Sequence, residues 1–95
     1  MDNLEEIKID INECPIVRVT WQDAYDMPCG WVEPSEILEW ATATCTDVGW
    51  LVYRDEQKVT LMGSWNGDQG GRVTTIPADW VQTIDYLEAG VTIIN

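Results

Sequence analysis

The chain has no histidine and no phenylalanine, and it sets only five basic residues against 17 acidic ones. Without histidine there is no imidazole to act as a base near neutral pH, nor one to activate a cysteine. The formal charge of −12 repels nucleic-acid phosphates and anionic membranes and attracts basic protein surfaces. The same charge also serves as an ordinary solubilising surface. Apolar runs are short, none approaching the roughly 18 residues of a membrane span. Cysteine is scarce: Cys14, Cys29 and Cys45 are widely spaced and form no CxxC pair. A zinc site would have to combine them with carboxylates, an unusual donor set. The odd cysteine count and the lack of a signal peptide lead us to expect a reducing cytoplasm. We expect no metal, no cofactor and no catalysis. Asp23 and Asp26 could approach across a turn, or form a magnesium site with Asp55, but Asp commonly caps turns and faces water. No spaced calcium-loop pattern is present either.

What is abundant is tryptophan, with six in 95 residues. Trp21, Trp31, Trp40 and Trp50 fall at near-regular spacing, and Trp65 and Trp80 follow. Each indole is bulky, rarely buried completely, and carries an N–H that needs a partner. A single small domain can bury some of these rings but not all of them. The remainder should line a binding or oligomer surface.

Alternation of apolar and polar residues marks five strands. Ile16 to Trp21 directs Val17, Val19 and Trp21 one way and Arg18 and Thr20 the other. Val48 to Arg54 places Val48, Trp50 and Val52 on one face. Lys58 to Ser64 turns Val59 and Leu61 inward, and the polar turn Asp55-Glu56-Gln57 makes these two runs a hairpin. Arg72 to Ile76 and Val81 to Leu87 complete the set; in the last, Val81, Thr83 and Asp85 oppose Ile84 and Tyr86. The long excursion Gln22 to Thr46 holds a Pro28-Cys29-Gly30 turn and a short helix opening at Pro34, a residue suited to the first helical turn. Trp40 would anchor that helix with Ile37 and Leu38. The glycine-rich loop 66–71 lacks a Gly-Lys-Ser/Thr ending and carries Asp68, so it reads as a flexible hairpin loop and not a phosphate cradle. Ile7, Ile9 and Ile11 alternate, consistent with an extra edge strand or with a loose tail. We divide the chain into an acidic N-terminal segment (1–13), a barrel domain (14–88) and an apolar extension (89–95).

Five short strands, a long first loop and a helical turn before the last strand suggest a mainly β protein: a small five-stranded SH3-like barrel with one short helix in the first loop. The stretch Ile76-Pro77-Ala78-Asp79-Trp80-Val81 resembles the Pro-x-x-aromatic-Val turn of SH3 folds, whose aromatic helps line a groove. An Sm-like barrel is the nearest alternative. The chain lacks an Ala-Leu-Tyr-Asp-Tyr run and a Trp-Trp pair, so proline-rich peptide binding is not the expectation, although a tryptophan-lined groove would permit it.

We assign Val17, Val19 and Trp21 to the core and take Tyr25, Trp31, Trp50, Arg54, Trp65, Arg72 and Trp80 as candidate ligand-binding residues. An arginine beside a tryptophan can pair with a carboxylate. It can also meet a phosphate while the indole stacks on a base. A symmetric oligomer would gather these few arginines into one pocket.

Val19-Thr20-Trp21-Gln22-Asp23-Ala24, Gly30-Trp31, Val48-Gly49-Trp50-Leu51 and Ile76-Pro77-Ala78-Asp79-Trp80-Val81 resemble, in the same order, motifs of a group of small proteins in tailed-phage genomes. The likeness spans residues 16–87. It implies a phage origin and, with it, a non-catalytic accessory protein in the cytoplasm of the infected host. Our leading expectation is counter-defence by a homo-oligomer that sequesters a small nucleotide immune signal, with Trp31, Trp50 and Tyr25 stacking the base and Arg54 or Arg72 meeting phosphate. An acidic charge mimic that blocks a basic host protein such as a nuclease is the alternative. A virion or structural accessory protein, adding Val91-Thr92-Ile93-Ile94 to a neighbour's sheet, is the second alternative. Neither nucleic acid nor membrane is an expected direct partner.

Overall fold

The computed structural model describes residues 7–24 and 30–94. Candidate Tyr25, together with Asp26, Pro28 and Cys29, lies outside the described residues. Five strands form one antiparallel sheet: β1 (Ile16–Asp23), β2 (Ala43–Arg54), β3 (Lys58–Trp65), β4 (Gly70–Pro77) and β5 (Val81–Leu87). Their spatial order is β4-β3-β2-β1-β5, so β1 to β4 meander and β5 returns to the free side of β1. The fold is mainly β and SH3-like, but the sheet does not close: β4 and β5 each keep an unpaired edge among the described residues.

The inner face carries the core. Val17, Val19, Val59, Leu61 and Ile76 cluster there at 2 % exposure or less, with Trp21, Leu51, Val81 and Ile84 packed around them. Burying each such side chain is worth about 1.5–3 kcal/mol. Two bulges set which side chains reach this cluster. In β2 the pairing with β3 shifts between Leu51 and Tyr53, leaving Val52 as the extra residue. In β5 the pairing with β1 shifts so that Val81 faces Trp21 while Thr83 faces Thr20, leaving Gln82 extra. The second bulge corrects the simple alternation expected for this strand: Val81 and Ile84 both pack on the core because a bulge changes the parity of the side chains.

The turns follow their residue chemistry. Asp55 Oδ1 accepts from the backbone N–H of Gln57 and Lys58 at 2.8 and 2.9 Å and closes the β2–β3 hairpin. Asn66 Oδ1 does the same for Asp68 and Gln69. Gly70 and Gly71 therefore belong to β4, and the expected glycine-rich loop is shorter than 66–71. After Pro77, one 3-10 turn, Ala78–Trp80, leads into β5. Its first N–H, from Ala78, donates to the carbonyl of Gln57 at 2.9 Å, tying the turn to the opposite hairpin.

Three other expectations are corrected. β2 begins at Ala43, five residues before Val48, because Thr44, Cys45 and Thr46 find partners in the second half of β1. The helix α1 (Pro34–Glu39) starts at its proline as expected but buries none of its residues. Trp40 is 44 % exposed and Leu38 86 %, so the helix is not anchored in the core. Ile7, Ile9 and Ile11 form no edge strand: residues 7–10 have no regular structure, and Ile11–Glu13 make a 3-10 turn held by the Asp10 side chain.

Candidate functional site

The candidate residues do not converge on one pocket. Trp31 is wholly exposed and stands apart from the sheet. Trp65 lies at the β3–β4 turn, where Ile7, Ile9 and Gly70 flank a shallow depression beside it. Arg54 ends β2 at the opposite end of the meander from Arg72, which lies near the start of β4. Arg72 holds φ 52, a left-handed backbone that costs a side-chain-bearing residue roughly 1–2 kcal/mol. A Cβ on the facing Gly63 would come within 3.0 Å of the Arg72 Cβ, so that glycine makes room for it.

Trp80 does find an aromatic partner. Its ring stacks on Trp21 with centroids 6.2 Å apart and planes inclined by 13°. Trp21 closes the inner face near the end of β1, and its Nε1–H donates to Asp47 Oδ2 at 2.7 Å. The 3-10 turn that the proline imposes carries Trp80 to this place. One face of the pair thus remains open, since Trp80 is 43 % exposed. Among the described residues no cation is bonded to Asp47, so the pair ends in a carboxylate and not in a phosphate-binding group.

Arg54 borders a second depression, of about 390 Å³, between the β2–β3 hairpin and β5. Val59, Val81 and Ile84 form its floor, and Tyr86, Asp55 and Glu56 share its rim with the guanidinium. Arg54 has no carboxylate partner among the described residues, where the one ion pair is Arg18–Asp85 at 3.1 Å. Two carboxylates beside one guanidinium leave this rim acidic on balance. Asp55 is itself committed to the hairpin. The Tyr53 hydroxyl donates to its Oδ2 at 2.7 Å, and this bond, with the two backbone N–H donors, holds its carboxyl below the ordinary value. The same bond, and the negative charge of Asp55, push the Tyr53 phenol up.

Trp50 belongs to a feature that alternation within single strands does not reveal. It pairs with Ile16 on one side and Met62 on the other. Ile16 in turn pairs with Leu87, and Met62 with Val73. Paired residues share a face, so Leu87, Ile16, Trp50, Met62 and Val73 form an apolar stripe across all five strands. It lies on the outer face, because Met62 alternates with the inward Leu61 and is absent from the core cluster. Met62 is buried to 1 %, its sulfur lying against Gly70 where a Cβ would collide with it. The rest of the stripe is less sealed: Trp50 is half-buried, Ile16 and Leu87 are 38 and 37 % exposed and Val73 58 %, and Val48, beside Trp50 in the next row, is 59 % exposed. The row beside the stripe is Asp85, Arg18 and Val48 across β5, β1 and β2, with Thr83, Thr20 and Thr46 one row farther out; on its other side the Thr60 and Thr75 hydroxyls of β3 and β4 lie 3.0 Å apart.

Among the described residues, no group of three or more cysteine or carboxylate side chains could hold a metal ion. No described helix is long and apolar enough to cross a membrane. The chain matches no protein-family model, no curated protein and no solved structure.

Proposed function

We propose that this chain is a non-catalytic binding protein of the phage accessory kind, whose acidic surface engages a basic face of a host protein such as a nuclease. The observation that carries this reading is the state of its carboxylates. Of 17 acidic residues in the chain, Asp85 alone among the described ones forms an ion pair. Glu33, Glu36 and Glu39 are exposed on and beside α1, and Asp55, Glu56 and Asp79 are exposed at the hairpin and the 3-10 turn. Unpaired surface carboxylates in one small domain sum to a negative field that steers a basic partner and fixes its orientation. Titrating the protein against basic host nucleases at rising salt tests this. Binding should weaken steeply as the Debye length shortens and should fall in a Glu33→Gln, Glu36→Gln, Glu39→Gln variant. Binding indifferent to both salt and the triple variant would overturn the reading.

Sequestration of a small nucleotide is a second reading, supported by the unpaired Arg54 and the neighbouring Tyr86 at the 390 Å³ depression. The acidic rim weakens it. A thermal-shift series with cyclic oligonucleotides and ADP-ribose derivatives decides between the two. Stabilisation by mass action that Arg54→Ala abolishes would favour sequestration, and a flat series would exclude it.

A further inference from the structure

We infer that the outer face of the sheet is a homodimer interface, in which the apolar stripe of one copy packs on the stripe of a second copy about a two-fold axis. This goes beyond the acidic-surface reading and does not depend on it. A sheet face bearing a continuous apolar row is normally covered by another layer. Here the stripe Leu87, Ile16, Trp50, Met62 and Val73 crosses the whole sheet, and only Met62 is buried by the chain's own fold.

Charge identifies the occupant. Two copies of a chain carrying −12 repel one another wherever their carboxylates face. The outer face is where that repulsion is least. Its charges balance: Arg18 pairs with Asp85 at 3.1 Å, and Lys58, whose ammonium lies 5.3 Å from the centre of the Tyr53 ring, is offset by Asp55, which accepts from the Tyr53 hydroxyl. The row directly beside the stripe is Asp85, Arg18 and Val48, and the threonines Thr83, Thr20 and Thr46 follow one row farther out. A basic protein would gain nothing from this face and would be drawn to the acidic turns instead. A second copy can meet its own neutral, apolar face at little electrostatic cost, and a two-fold axis makes one patch complementary to itself.

With strands about 4.8 Å apart and a rise of about 3.3 Å per residue, the five strands span roughly 600 Å² of sheet per copy, so a pair buries at most roughly 1,200 Å², at the lower bound of specific interfaces. Trp50, central in the stripe and flanked by Ile16 and Met62, is the expected hot spot.

Sedimentation equilibrium of the full chain, from micromolar to near-millimolar concentration, tests the assignment. The wild type should show the mass of two chains. A Val48→Asp, Val73→Asp variant changes two residues that are more than half exposed in the single chain, and it should raise the dissociation constant at least about 100-fold. Leu38→Asp on α1 should leave the dimer intact. Urea melting confirms that each variant is folded. Should the aspartates unfold the sheet, Val48→Thr with Val73→Thr is read in their place, with a smaller rise in the same direction. A single-chain mass for the wild type at every concentration, an unchanged mass for the stripe variants, or dissociation by Leu38→Asp alone would each overturn the proposal. So would a stripe that captures a different protein while the chain itself stays monomeric.

Discussion

The two faces of the sheet carry comparable apolar side chains and treat them in opposite ways. On the inner face, Val17, Val19, Val59, Leu61 and Ile76 are sealed at 2 % exposure or less by the curl of the sheet and the 3-10 turn. On the outer face, Ile16, Val73 and Leu87 sit 37 to 58 % exposed in the stripe, and Val48 in the row beside it 59 %, while Met62 alone is sealed. Hydrophobicity alone therefore does not say where the core is. The inner residues are core because bulges at Val52 and Gln82 curl β2 and β5 around them, and because the Ala78–Gln57 hydrogen bond ties the 3-10 turn to the hairpin. No element of the described chain performs that service for the whole outer stripe.

The comparison can be broken by substitution. The largest effect is expected from Leu61→Ala, which empties a sealed site and should cost about 2–5 kcal/mol, read by urea melting. Gly49→Ala comes next. Its new Cβ would lie 2.8 Å from the backbone oxygen of Met62, so β2 and β3 must part, at about 1–3 kcal/mol. Asp47→Ala should cost about 1–2 kcal/mol, since the half-buried Trp21 N–H loses its acceptor; a shift in tryptophan emission would accompany it. Val73→Thr on the outer face should stay within about 0.5 kcal/mol in a single chain. A loss as large as that of Leu61→Ala would show that the outer face is a second core. Asp55 gives a smaller, pH-dependent signal. Its folded carboxyl titrates below the ordinary value of 3.8, so its contribution is present above that value and disappears as pH falls through the lowered one. Wild type and Asp55→Asn should therefore differ at neutral pH and converge in acid.

Much of this architecture was legible in the order of residues. The Ile16, Lys58 and Val81 strand starts, the Asp55 turn, the helix opening at Pro34 and the 3-10 turn after Pro77 all follow from local chemistry: alternation, a side chain that accepts backbone N–H groups, a fixed proline φ. What failed depended on distant partners. Thr44 and Thr46 read as loop residues until β1 supplies Gln22 and Thr20 opposite them. Val81 and Ile84 read as opposed until the bulge at Gln82 restores them to one face. Trp40 read as an anchor, yet it stays 44 % exposed and α1 buries none of its residues. The candidate binding residues were chosen by type, and the fold scatters them. The stripe was missed because it has no periodicity along the chain; it exists only across strands, and an expected pairing register would have been needed to find it.

The Trp21–Trp80 stack has an optical consequence. Two indoles stacked 6.2 Å apart in nearly parallel planes couple their excited states, and an exciton couplet that neither ring gives alone is the expected signature. One ring belongs to β1, and the other to the turn that delivers β5 to the free side of β1. The couplet therefore gauges one event, the docking of the last strand on the first. It would vanish if β5 peeled away while the meander from β1 to β4 stayed whole, which would separate the closing of the sheet from its formation without any label.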